Sequence, residues 1–94
     1  MARLIKADGT KFTVKPRGLK WTLDEIQAFV GGPFEIMPGI APMRLLMNEE
    51  GAIRALPVNL QASRIVLKAL RDKPLRYMPT IRGDVLILDP EEKM

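Results

Sequence analysis

Four consecutive aliphatic residues, Val85-Leu86-Ile87-Leu88, restrict the fold of this chain more than any other segment. Side chains alternate between the two faces of a strand, so this run is apolar on both. Such a strand belongs in the middle of a sheet. Asp84 and Asp89 bracket it, Gly83 leads in and Pro90 ends it, which leaves residues 90–94 as an expected frayed tail.

The other elements follow from local signals. Residues 3–15 alternate around Asp8-Gly9, a two-residue hairpin signal. That turn sets Ala7 opposite Thr10, Lys6 opposite Lys11 and Ile5 opposite Phe12. Ile5, Ala7, Phe12 and Val14 then share one face, and Lys6, Lys11, Thr13 and Lys15 share the wet one. Opposed lysines repel mildly, so that wet face is expected to be exposed or to meet an anion. Pro16-Arg17-Gly18 ends the hairpin.

Thr22-Leu23-Asp24-Glu25 reads as a capping box, with Trp21 and Ile26 at the spacing of a hydrophobic staple. Leu23, Ile26, Phe29 and Val30 form the apolar stripe of this helix, which Gly31-Gly32-Pro33 stops. Phe34 to Met37 reads as a short strand. Met43 to Met47 reads as another, paired in a hairpin with Ala52 to Leu56 through a type I turn at Asn48-Glu49-Glu50-Gly51, whose glycine takes the left-handed position. Asn59 caps a helix over 60–71, in which every ionisable side chain (Arg64, Lys68, Arg71) is basic. Residues 75–78 extend as a further short strand. The expected fold is α+β, with two hairpin–helix–strand units in ββαβ-ββαβ order and a mainly antiparallel sheet packed against two helices. The edges of two short half-sheets would also suit a homodimer.

At 94 residues the chain is a single domain, and 47% hydrophobic with 28% charged residues marks it as globular rather than disordered. There is no cysteine and no histidine, so disulfides, thiolate chemistry and the commonest general base and metal ligand are excluded. The N-terminus lacks the apolar run of a signal peptide, and no stretch approaches a membrane span. A soluble cytoplasmic protein that does not engage membranes is expected. The net charge of +4 is uneven: residues 1–20 and 60–82 each hold six cations and one anion, while 21–59 and 83–94 are acidic. Two basic blocks converging in the fold would present an anion-attracting patch.

Val30-Gly31-Gly32, Phe34-Glu35-Ile36, Asn48-Glu49-Glu50-Gly51, Leu56-Pro57-x-Asn59-x-x-Ala62 and Gly83-Asp84-Val85-Leu86-Ile87 occur in this order across 22–89. The ordered set resembles a family of small phage- and plasmid-encoded proteins known only as a domain of unknown function. The resemblance implies a mobile-element accessory protein and implies no activity.

Catalysis has little to work with. Ser63 and the threonines Thr10, Thr13, Thr22 and Thr80 have no histidine to activate them. Gly31-Gly32 follows a helix rather than opening one, unlike a phosphate-cradling loop. Adjacent acids at Glu49-Glu50 and Glu91-Glu92 lack the spacing of a calcium loop. The chain therefore reads as a non-catalytic protein without a cofactor or metal. Three kinds of partner rank in order: a host or phage protein met by a regulatory module, with the turn Asn48, Glu49 and Glu50 as contact; an anionic small molecule such as a nucleotide, held by Arg64, Lys68, Arg71 and Arg82; and nucleic acid along the basic blocks. Asn59 is the remaining candidate binding residue.

Overall fold

The computed structural model describes residues 1–70 and 80–94. Strands β1 (Ala2–Ile5), β2 (Lys11–Val14), β3 (Phe34–Ile36), β4 (Arg44–Asn48) and β5 (Val85–Leu88) form one antiparallel sheet in the order β2-β1-β5-β4-β3. Helix α1 (Leu23–Val30) connects β2 to β3, and α2 (Leu60–Ala69) lies between β4 and β5. As its aliphatic run requires, β5 is the central strand, with all four side chains buried. Leu86 and Leu88 pack with Ala2, Leu4 and Leu46 against Trp21, Ile26 and Val30 on the α1 side. Val85 and Ile87 pack with Ile5 and Leu45 against Ala62 and Val66 of α2. The sheet is thus a middle layer with one helix on each face.

Helix α1 begins as its sequence demands. Thr22 accepts from the Glu25 N–H, Glu25 reaches back to Thr22, and Gly31 closes the helix in the left-handed conformation at φ 85°. Trp21 and Ile26 are buried together, and the Trp21 ring meets Phe29 edge-on at 5.9 Å. Leu23, placed by periodicity on the apolar stripe, is 63% exposed because it sits in the first turn, beyond the sheet's reach. Glu25 also accepts from the Arg17 N–H at 2.9 Å. That bond, followed by those from the Thr22 hydroxyl and N–H, holds the Glu25 carboxyl below its ordinary value of 4.5. A depressed folded-state value stabilises the fold above pH 4.5 and loses that contribution as pH falls through the lowered value. Thermal midpoints from neutral pH down to pH 3 should therefore fall further for the parent protein than for Glu25→Gln. Parallel curves would contradict this.

Several expectations are corrected. The β1–β2 hairpin is shifted by one residue, with Ile5 opposite Lys11 and Leu4 opposite Phe12. Asp8 Oδ1 accepts from both the Thr10 N–H and its hydroxyl, and Gly9 adopts φ 97°. Lys6 N–H then bonds Thr10 O, and Gly9 N–H bonds Lys6 O, closing a three-residue loop instead of a two-residue turn. A one-residue slip exchanges the faces. Ile5 faces α2, Phe12 shares the α1 side with Leu4, and Lys6 no longer opposes Lys11.

The expected strand over 52–56 is wound into turns: Arg54 N–H bonds Glu50 O, Leu56 N–H bonds Gly51 O, and Ala55 sits at φ 52°. With β3 on one side and β5 on the other, β4 has no free edge for a further strand. The second hairpin is therefore β3–β4, and the observed order is ββαββαβ. Gly51 is not among the positive-φ glycines; it is confined by space, since a Cβ there would lie 3.2 Å from the Arg82 Cβ.

Glu92 and Lys93 bond to the body of the fold. Trp21 N–H bonds Lys93 O, the indole N–H bonds Glu92, and Arg44 donates to the carbonyls of Asp89 and Glu92. Arg71 and the strand expected at 75–78 lie outside the described residues. Among those described, no helix is long and apolar enough to cross a membrane.

Candidate functional site: a motif-lined cleft and a basic face

The ordered motifs meet at one end of the sheet. Val30-Gly31, Asn48, Leu56-Pro57 and Gly83-Asp84 line a cleft of about 300 Å³ together with Ala7, Ala28, Phe29 and Arg54. Their hydrogen bonds show why these residue types stand here. Asn48 is buried: its Nδ2 donates to Val30 O at 3.1 Å, and its Oδ1 accepts from the Glu50 N–H at 2.8 Å. Arg54 Nη1 donates to Gly31 O at 3.0 Å. Asparagine and arginine thus satisfy carbonyls left without helical partners at the end of α1. Gly83 adopts φ 80°, a conformation that other residues take only with strain, and a Cβ there would come within 2.9 Å of Leu56 Cδ1. Asp84 Oδ1 accepts from the Ala7 N–H at 2.9 Å.

Asn59 sits beside this junction, 1% exposed. Its Oδ1 caps α2 by accepting from the Ala62 N–H, while Nδ2 donates to Ile5 O and to Gly83 O, both at 2.9 Å. One amide therefore fastens the end of β1, the approach to β5 and the start of α2. Ser63 donates to Asn59 O and accepts from the Ile81 N–H, so its hydroxyl is engaged in the fold.

The candidate site residues separate into two groups. Asn48, Glu50 and Arg82 gather around the β4–α2 connection, where Arg82 Nη1 donates to Leu56 O at 3.0 Å, and Glu49 is exposed at its turn. Arg64 and Lys68 stand apart, exposed on α2. Arg54 and Asp84, the charged groups of the cleft, escaped the sequence-based choice. Arg54 fell in an expected strand, and Asp84 read only as a strand boundary.

The corrected register gives α2 basic neighbours. Gln61, Arg64 and Lys68 follow i, i+3, i+7 spacing and so form one stripe. Gln61 Nε2 donates to Gly9 O at 3.2 Å, so the N-terminal end of this stripe meets the tip of the β1–β2 hairpin. On that hairpin Arg3 pairs with Thr13 and Lys11 with Ile5. Arg3 and Lys11 therefore lie on the same side of the sheet as Ile5, which faces α2. Four exposed cations, two from each basic block, share the α2 side of the molecule. At the hairpin tip, Asp8 is kept below the usual carboxylate range, first by the Thr10 hydroxyl and then by its N–H. Among the described residues no group of three or more acidic, cysteine or histidine side chains could hold a metal ion.

The family described as Domain of unknown function (DUF3846) matches residues 1–94. The chain belongs to this family. No curated protein and no solved structure matches this DUF3846 chain. The DUF3846 match spans the N-terminal hairpin as well as the cleft motifs, so both the cleft and the basic face fall within it.

Proposed function

We propose that this DUF3846 chain is a small, non-catalytic regulatory binding module, an accessory protein of a phage or plasmid, that engages an anionic partner through its α2-side basic face. The mobile-element role rests on the motif resemblance. The binding role rests on one observation: Arg3 and Lys11 lie on the same side of the sheet as α2, which carries Arg64 and Lys68. Charges of one sign gathered on one face raise the local concentration of counter-ions and speed encounter with an oppositely charged partner. The cleft residues are engaged in joining the elements of the fold, which makes the basic face the better-supported contact surface.

Inorganic polyphosphate, a featureless polyanion, is the direct probe. At about 50 mM salt the parent protein should bind it, and Arg64→Glu/Lys68→Glu should weaken binding by at least about tenfold, because exposed charge contacts dominate such affinity at low salt. Arg3→Glu/Lys11→Glu should have a similar effect. Arg17→Glu/Lys20→Glu, placed beside α1, should weaken binding far less than either of these pairs. Equal losses in all three pairs, or no binding by the parent, would contradict the proposal.

A further inference from the structure

We infer that the anionic partner is double-stranded nucleic acid, held by its phosphate backbone without reading of base sequence; this inference rests on the basic-face reading above. The cations form two ranks. Arg64 and Lys68 are offset by about 6 Å along α2, from four residues at about 1.5 Å each. The Arg3–Thr13 and Ile5–Lys11 rows lie two residues apart in the ladder, about 7 Å along the strands. Both offsets are close to twice the axial rise of about 3.4 Å between successive phosphates of one duplex strand. The 10 residues of α2 extend about 15 Å, a length of about four such phosphate-to-phosphate steps. Thr13 adds a neutral donor on the same side.

Among the described residues, the aromatic side chains favour a duplex over a single strand. Proteins that hold single strands stack bases on exposed rings. Here Trp21 is buried in the α1-side core, Phe29 and Phe34 pack against that core, and Phe12 shares the α1 side with Leu4. Among the described residues, the α2 side offers charge and hydrogen-bond donors but no ring for a base to stack on. That chemistry suits phosphates on a rigid duplex, whose bases stay stacked on one another.

The test is fluorescence anisotropy with two short DNA duplexes of unrelated mixed sequence and with one of their single strands. Both duplexes should bind equally and more tightly than the single strand. With four phosphate contacts, log affinity against log salt should fall with a slope of about −3.6, roughly a 150-fold loss between about 50 and 200 mM salt. Arg64→Ala/Lys68→Ala should reduce the slope by about 2, and Arg3→Ala/Lys11→Ala by a similar amount. All four side chains are exposed, so unchanged thermal midpoints would confirm that these variants remain folded. If polyphosphate binds and the duplexes do not, the nucleic-acid inference falls while the basic-face reading stands. If neither binds, both fall. Tighter binding of the single strand, or a clear preference between the duplexes, would also overturn the inference.

Discussion

Leu86→Ala and Ile87→Ala should each lower stability by about 2–5 kcal/mol, although the two side chains point to opposite faces of β5. Leu86 packs on the α1 side and Ile87 on the α2 side, and both are essentially inaccessible to solvent. Truncation in either layer removes buried methyl groups and leaves a cavity that close-packed neighbours fill only partly. In a sheet with one wet face, one of the two substitutions would be nearly silent, within about 0.5 kcal/mol. Urea unfolding of both variants distinguishes the cases. Two large losses require a covered sheet, and a single loss would remove one of the helix layers.

Asn59→Leu should be comparably damaging, at about 3–7 kcal/mol, despite its similar shape. Loss of the cap on the Ala62 N–H accounts for about 1 kcal/mol. The larger part comes from the Ile5 and Gly83 carbonyls, each left buried without its partner at about 1–3 kcal/mol. Against a total stability of about 5–15 kcal/mol, this is a large fraction for a small domain. Asn59→Asp separates the two roles. Aspartate keeps the capping acceptor but has no donor for the two carbonyls, and it brings a charge into a buried position. Asn59→Asp should therefore be as destabilising as Asn59→Leu by urea unfolding. Near-parental stability of Asn59→Asp would show that Asn59 acts as a cap alone.

The sequence was most readable where a signal is local and has a single structural reading. The Thr22–Glu25 capping box, the Gly31 helix stop, the Asn59 cap and the central placement of Val85–Leu88 depend on neighbours in the chain or on the chemistry of one segment. It was least readable where a partner lies far away. Nothing local to Asn59 indicates that its amide also reaches Ile5, 54 residues distant, or that Asn48 holds the end of α1. The hairpin register failed because Asp8-Gly9 suits both a two-residue turn and a three-residue loop. The bonds from Thr10 to Asp8 select the second, and that choice carries Phe12 away from Ile5. The segment 52–56 failed because a short apolar stretch reads equally well as strand or turn until the neighbours of β4 are known.

That register correction also underlies the proposal of an anionic partner. With Lys6 no longer opposite Lys11, the N-terminal cations that matter are Arg3 and Lys11. The Gln61 contact then brings the N-terminal end of the α2 stripe to the tip of their hairpin. The motifs behind the family resemblance, by contrast, meet at a junction where their polar groups are spent on backbone carbonyls and N–H groups. The residues that make the chain recognisable are therefore largely those that build it, and the proposed contact surface lies on a different face.

The most direct measurement is an amide-resolved NMR titration of the isotopically labelled protein with inorganic polyphosphate. The expected result is a coherent set of shift changes at Arg3, Lys11, Thr13, Gln61, Arg64 and Lys68, with the α1-side amides of Phe12, Trp21 and Phe29 unmoved. Changes confined to α2 would show that the hairpin cations are not part of the surface. Changes centred on Arg54 and Asp84 would move the binding site to the cleft and contradict the basic face as the working surface.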